Sequence, residues 1–219
     1  MKKLYIAGTA VLLAATAFMM TSAKTAPVAA VNLKCESLID PLAIDSTTPH
    51  FSWTMDVGSE QGETQTAYQI LVASSPELLT EGDADLWNSG KVAAPLSPFV
   101  DYGGKELKAK DIAYWKVRVW NKLGKASAWS EPAFFGVGLL EPSDWAGVYI
   151  GKAAGADNDN SPLLRKRFDW SGGDRAMLHV NSLGYHEAYV NGRPVSDAVL
   201  TPAVTQYGKR SLAVTYDIT

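Results

Sequence analysis

The stretch Tyr114-Trp115-Lys116-Val117-Arg118-Val119-Trp120 alternates along its length: Trp115, Val117 and Val119 share one face, while Tyr114, Lys116, Arg118 and Trp120 share the other. Successive side chains of a strand point to opposite faces, so this is the pattern of a β-strand with one face in a core and one in water. Working outward, residues 31–39, 50–55, 66–73 and 133–137 read as further strands, and the strand around Trp115 extends over residues 111–121. Turn signals at Ser89-Gly90, Tyr102-Gly103-Gly104 and Leu123-Gly124 separate them. Residues 75–86, with Pro76 near a possible helix start after Ser75, are the one candidate for a short helix. Short strands at this spacing build a β-sandwich, here expected over residues 30–138.

Residues 139–145, containing Pro142 and Asp144, read as a linker to a second all-β module over residues 146–219. Its expected strands are residues 147–150, 163–168, 175–182, 185–190 and 212–217, with Asn191-Gly192 as a two-residue hairpin turn. A jelly roll uses eight strands, and an open half-sandwich exposes apolar edges that folded proteins avoid. The expectation is an incomplete jelly-roll-like β-sandwich, in a chain that stops inside a domain. The fold class is all-β throughout.

At the N-terminus, Met1-Lys2-Lys3 is a short positive segment, residues 4–20 are an almost unbroken small apolar run, and Thr21-Ser22-Ala23 resembles a cleavage site. Residues 1–23 therefore read as a secretory signal peptide, with an uncleaved anchor as the alternative. The mature chain is expected to be secreted or periplasmic and free of the membrane. The 219-residue sequence has 20 basic and 23 acidic side chains, a net charge of −3. No basic field is available to hold nucleic acid. A single cysteine, Cys35, excludes an intrachain disulfide and any multi-cysteine zinc site, and it reads as a half-buried strand residue.

Trp53, Tyr68-Gln69-Ile70-Leu71-Val72, Trp115-Lys116-Val117-Arg118-Val119 and Gly124-Lys125-Ala126-Ser127-Ala128-Trp129-Ser130 together resemble a fibronectin type III sandwich. A wider set of segments resembles the N-terminal region of secreted bacterial α-L-rhamnosidases. In the first module these include Leu33-Lys34-Cys35-Glu36, Pro49-His50-Phe51-Ser52-Trp53 and Leu86-Trp87-Asn88-Ser89-Gly90-Lys91-Val92. In the second they include Leu183-Gly184-Tyr185-His186-Glu187-Ala188-Tyr189-Val190-Asn191-Gly192 and Val214-Thr215-Tyr216-Asp217-Ile218-Thr219. Tyr149 departs from the family, which usually carries tryptophan there, as does the stretch Pro202-Ala203-Val204-Thr205-Gln206-Tyr207. The resemblance implies a parent enzyme that removes terminal α-L-rhamnose with inversion, using acids on a downstream (α/α)6 barrel. An inverting pair needs two carboxyl groups about 6.5–9.5 Å apart around a water. No such barrel is legible here, so no catalytic residue is assigned to this chain. The partners implied are a rhamnosylated glycan or glycoside and the chain's own downstream catalytic domain. The alternative from another class is a freestanding carbohydrate-binding or adhesive protein without enzyme activity.

Exposed aromatics are the usual platform for sugar rings. Tyr185, Tyr189, Trp170 and Tyr207 are the carbohydrate-binding candidates, with core packing as the alternative for each. Glu187 and Asp197 flank the Asn191-Gly192 hairpin as possible paired carboxylates or as ordinary exposed strand acids. His50, His179 and His186 stand in strand contexts without a second ligand at metal spacing. Asp157-Asn158-Asp159-Asn160 is rich in oxygen ligands. An EF-hand starting at Asp157 would place Pro162 sixth and Phe168 twelfth, where glycine and glutamate are required, so calcium at Asp157 and Asp159 needs another geometry. No other cofactor is implied.

Overall fold

The computed structural model describes residues 28–59, 61–152, 161–173 and 175–219. The expected signal segment over residues 1–23 lies outside them, as do Asp157 and Asp159. Strands β1 (Ala29–Cys35), β2 (His50–Asp56) and β5 (Val100–Asp101) form one antiparallel sheet in the order β1-β2-β5. Strands β4 (Trp87–Asn88), β3 (Ala67–Ala73), β6 (Ile112–Trp120) and β7 (Ala133–Gly136) form the other, in the order β4-β3-β6-β7. The longest ladder joins β3 to β6, from Ala67 opposite Trp120 to Ala73 opposite Tyr114. A constant-type immunoglobulin sandwich puts its fourth strand on the sheet of the first two. Here the fourth strand pairs with β3.

Strand β6 carries out the alternation in its sequence: Ala113, Trp115, Val117 and Val119 are fully buried. They meet Phe51 and Trp53 of β2, Ile70 and Val72 of β3, and Phe135 of β7 in one core. The Phe51 and Trp115 rings lie 4.4 Å apart, and the indole N–H of Trp115 has no hydrogen-bond partner. Burying each such side chain contributes roughly 1.5–3 kcal/mol, which is how a domain without a disulfide holds together. Cys35 belongs to this core and is fully buried rather than half-buried, because β1 turns its end inward against β2. Trp120, assigned by the alternation to the wet face, is also buried. Lys91 and Arg118 both lie over its ring, at 4.6 and 5.0 Å from the centroid.

All seven residues of β3 are buried, so its second face is covered too. Leu71 and Ala73 pack there with Leu79, delivered by the segment expected to form a helix. Only Pro76–Leu78 is helical, as a single 3-10 turn. Thr80 closes a local bond with Asp83, and the Asp85 carboxylate caps the Ser74 amide, so side chains compete with the helix for its backbone groups. Past β1, residues 41–44 run alongside β7, with a parallel bridge between Ile44 and Val137. The Gly136 amide donates to the Pro41 carbonyl, and the Ile44 amide donates to Gly136. That pairing covers an edge that would otherwise be open.

Beyond the sandwich, β8 (Met177–Asn181) pairs antiparallel with β11 (Ala213–Asp217), and β9 (Tyr189–Val190) with β10 (Arg193–Pro194). The β9–β10 turn is Asn191-Gly192, both at positive φ, as the two-residue hairpin requires. Residues 147–150 and 163–168, expected as strands, form none. Strand β9 is also shorter than the expected 185–190. Among the described residues beyond 146, Pro202 and Tyr216 are the buried ones. Val148, Ile150, Leu163, Phe168, Leu183 and Val199 are exposed. Strand-like sequence alone does not hold a strand; it needs a pairing strand and a covered face, and these segments have neither among the described residues.

Candidate functional site

A cleft of about 140 Å³ opens where β9, β10 and β11 converge, lined by His186, Glu187, Tyr189, Asp197 and Tyr216 among others. Its floor is a hydrogen-bonded chain. Ser182 Oγ lies 2.7 Å from His186 Nδ1, and His186 Nε2 lies 2.9 Å from the Tyr216 hydroxyl. Ser182 donates its own proton to the Gly184 carbonyl. Nδ1 of His186 is therefore the protonated nitrogen, and Nε2 accepts from Tyr216. Burial holds the His186 pKa below its ordinary value, in keeping with a neutral ring. The Tyr216 phenol is pushed up by burial. This chain ties the end of β8, the approach to β9 and the C-terminal half of β11 into one frame.

On the cleft wall, the Tyr189 hydroxyl donates to Glu187 Oε2 at 2.8 Å. That bond and the carboxylate charge raise the Tyr189 pKa. Acceptor-rich walls beside an exposed ring are suited to hydroxyl-bearing ligands, the ring offering a face to C–H groups and the acids accepting O–H bonds. The volume is below that of pockets enclosing a whole small molecule, about 300 Å³ or more. The arrangement makes a contact surface and not an enclosing site.

The structure gathers some of the candidates and scatters the others. Tyr189, Glu187, Asp197 and His186 share the cleft. Tyr185 and Trp170 are exposed, and Tyr207 is about two-fifths exposed in a turn, all three outside the cleft lining. His179 bonds Thr215 across the β8–β11 pair, a strand-to-strand contact. His50 has two carboxylate neighbours that its sequence context does not indicate: Glu36 at 2.9 Å and Asp101 at 3.3 Å. They arrive through the β1–β2–β5 sheet from 14 and 51 positions away. Among the described residues no group of three or more His, Cys, Asp or Glu side chains is placed to hold a metal ion. Ser182 and Tyr216 are not among the site candidates of the sequence, since their role depends on pairing β8 with β11 across more than thirty residues.

A family profile described as the Rha78A-like, N-terminal immunoglobulin domain matches residues 30–141, more than half of the chain. The chain belongs to this family. A second profile, the alpha-L-rhamnosidase N-terminal domain, matches residues 173–219 and so takes in the whole cleft. An alpha-L-rhamnosidase of Formosa agariphila is 39% identical over 206 residues, covering 82% of this chain and 21% of the relative. The solved alpha-L-rhamnosidase from Dictyoglumus thermophilum superposes with a TM-score of 0.76 at 34% identity, over 87% of this chain and 23% of that one. The Streptomyces avermitilis alpha-L-rhamnosidase, solved with L-rhamnose, gives 0.55 at 25% identity over 87% and 20%. The chain spans about a fifth of the length of the curated relatives it matches. The sandwich that the sequence likens to fibronectin type III is matched by a profile described as an immunoglobulin domain, and the resemblance to the rhamnosidase N-terminal region is met by both profiles and by the relatives.

Proposed function

We propose that this chain is the non-catalytic N-terminal portion of an α-L-rhamnosidase, exported from the cell, whose catalytic body is a separate domain of the parent polypeptide. The observation that carries the reading is the order of the two family matches in one chain, with relatives named for the activity of which the chain spans about a fifth. The exposed apolar residues beyond 146 support it, since they form a surface suited to burial against further protein. Within this reading, residues 1–23 are a signal peptide and residues 139–145 a linker. Tyr189, with Glu187 and Asp197 beside it, is a contact for the glycan; Tyr185, Trp170 and Tyr207 are outlying contacts.

The purified chain, incubated with 4-nitrophenyl α-L-rhamnoside, is expected to release no nitrophenol above buffer. Turnover that follows the protein through two chromatographic steps overturns the non-catalytic reading. Sequencing the coding region past the Thr219 codon tests the parent: several hundred further in-frame residues are expected. A stop codon there favours instead a freestanding carbohydrate-binding protein.

A further inference from the structure

The Arg175 guanidinium lies over the Phe134 ring, its Cζ 4.3 Å from the ring centroid. Phe134 belongs to β7, an outer strand of the sandwich's four-stranded sheet, and its own amide is held by the Asp40 carboxylate at 2.9 Å. Arg175 stands two residues before β8, on the far side of the connection that leaves the sandwich. Its Nη1 is buried, has no hydrogen-bond partner, and stands 4.0 Å from Asp217 Oδ2 in β11. Asp217 adjoins Tyr216, the hydroxyl at the floor of the cleft.

We infer that Arg175 clasps the β8–β11 pair to β7, so that the sandwich and the C-terminal strands turn as one body and the sandwich sets the orientation of the cleft. Stacking of a guanidinium on an aromatic face strengthens as water is excluded, and an ammonium lacks the planar face that makes it. A buried guanidinium nitrogen left short of a hydrogen bond is costly, and it persists where another contact holds the side chain in place. The Phe134 ring is that contact. The inference does not depend on what the cleft binds or on the activity of any parent enzyme.

The test is a distance measurement between spin labels in the full chain, at Lys125→Cys in the sandwich and Lys209→Cys among the C-terminal strands, both exposed. Cys35 does not interfere, because burial and then the Glu36 charge push its thiol pKa up to about 12. The expected result is one narrow distance distribution that broadens in Arg175→Ala and in Phe134→Leu, with the circular dichroism of each variant unchanged. Arg175→Lys keeps the charge beside Asp217 and loses the planar face, and is expected to broaden as well. A distribution already broad before substitution overturns the inference, and so does a width unchanged in any of the three variants.

Discussion

Trp53 donates its indole N–H to the Gln65 side-chain oxygen at 3.0 Å inside the sandwich, and Gln65 passes its amide protons to the Ala94 and Leu96 carbonyls. One buried glutamine therefore satisfies a strand residue and the loop that closes over it. Replacing it with methionine keeps the volume and strands all three groups. A buried polar group without a partner costs about 1–3 kcal/mol. Gln65→Met is expected to lower the unfolding free energy by about 1–3 kcal/mol, read in tryptophan-monitored urea unfolding as a lower midpoint with an unchanged slope. In a Trp53→Phe background the same substitution should cost less, since one of the orphaned groups is already gone. An unchanged midpoint sinks the assignment.

The outer face of the β6 sheet carries a stack of five side chains: Lys91, Trp120, Arg118, Trp129 and Lys116, with cation-to-ring distances of 4.6, 5.0, 4.6 and 5.3 Å in that order. Arg118 sits at its centre, held by two bonds to Gln69 Oε1 and one contact to Glu81. Arg118→Lys keeps the charge and loses both the fork and the planar face, so it is expected to destabilise the sandwich by about 1–2 kcal/mol. Glu81→Gln should change stability by less than about 1 kcal/mol, because that carboxylate is half exposed. Equal effects of the two substitutions would show that the ion pair and not the stack holds Arg118.

Gly136 lies where the chain past β1 crosses β7. A Cβ there would overlap the carbonyl oxygen of Leu42, and that backbone is fixed by hydrogen bonds from both sides. Gly136→Ala is expected to cost roughly 1–3 kcal/mol, the usual penalty for forcing atoms into a packed site. Gly62 has open space around its Cβ position but a positive φ, so a substitution there tests backbone strain alone. Thermal unfolding of Gly136→Ala within experimental error of the parent would remove the close approach from the account.

The sandwich was legible because its signals are local. The two-residue period at Trp115, Val117 and Val119 survives in the fold residue for residue, and so does the Asn191-Gly192 turn. Strands β4 and β5 escaped notice because each has two residues, too few to show a period. Residues 147–150 and 163–168 show the opposite failure: their composition favours strands, yet pairing is non-local, and no strand pairs with them among the described residues. The cleft was half legible. Glu187, Tyr189 and His186 are neighbours in sequence, whereas Ser182 and Tyr216 join them only through the β8–β11 register. The Glu36 and Asp101 contacts of His50 were hidden for the same reason.

The C-terminal strands should weaken in mild acid. Burial, followed for His179 by the Lys110 charge, holds the pKa values of His179 and His186 below the ordinary 6.5. A depressed folded-state pKa means that the unfolded chain binds protons first as pH falls. The stabilisation is thus fully present above pH 6.5 and is lost as pH drops through the lowered folded values. Asp217 is also depressed, first by its bond with Thr219, but its contribution is present above 3.8 and fades only below that, outside this window. Hydrogen exchange of the β8 and β11 amides, corrected for intrinsic pH dependence, should show protection falling between about pH 7 and 5, while β3 and β6 stay unchanged. The mechanism predicts that His179→Asn combined with His186→Asn flattens the dependence, because no titrating ring then remains in the pair. If protection in β8 and β11 is the same at both ends of that range, the buried neutral histidines are not coupled to the folding of these strands.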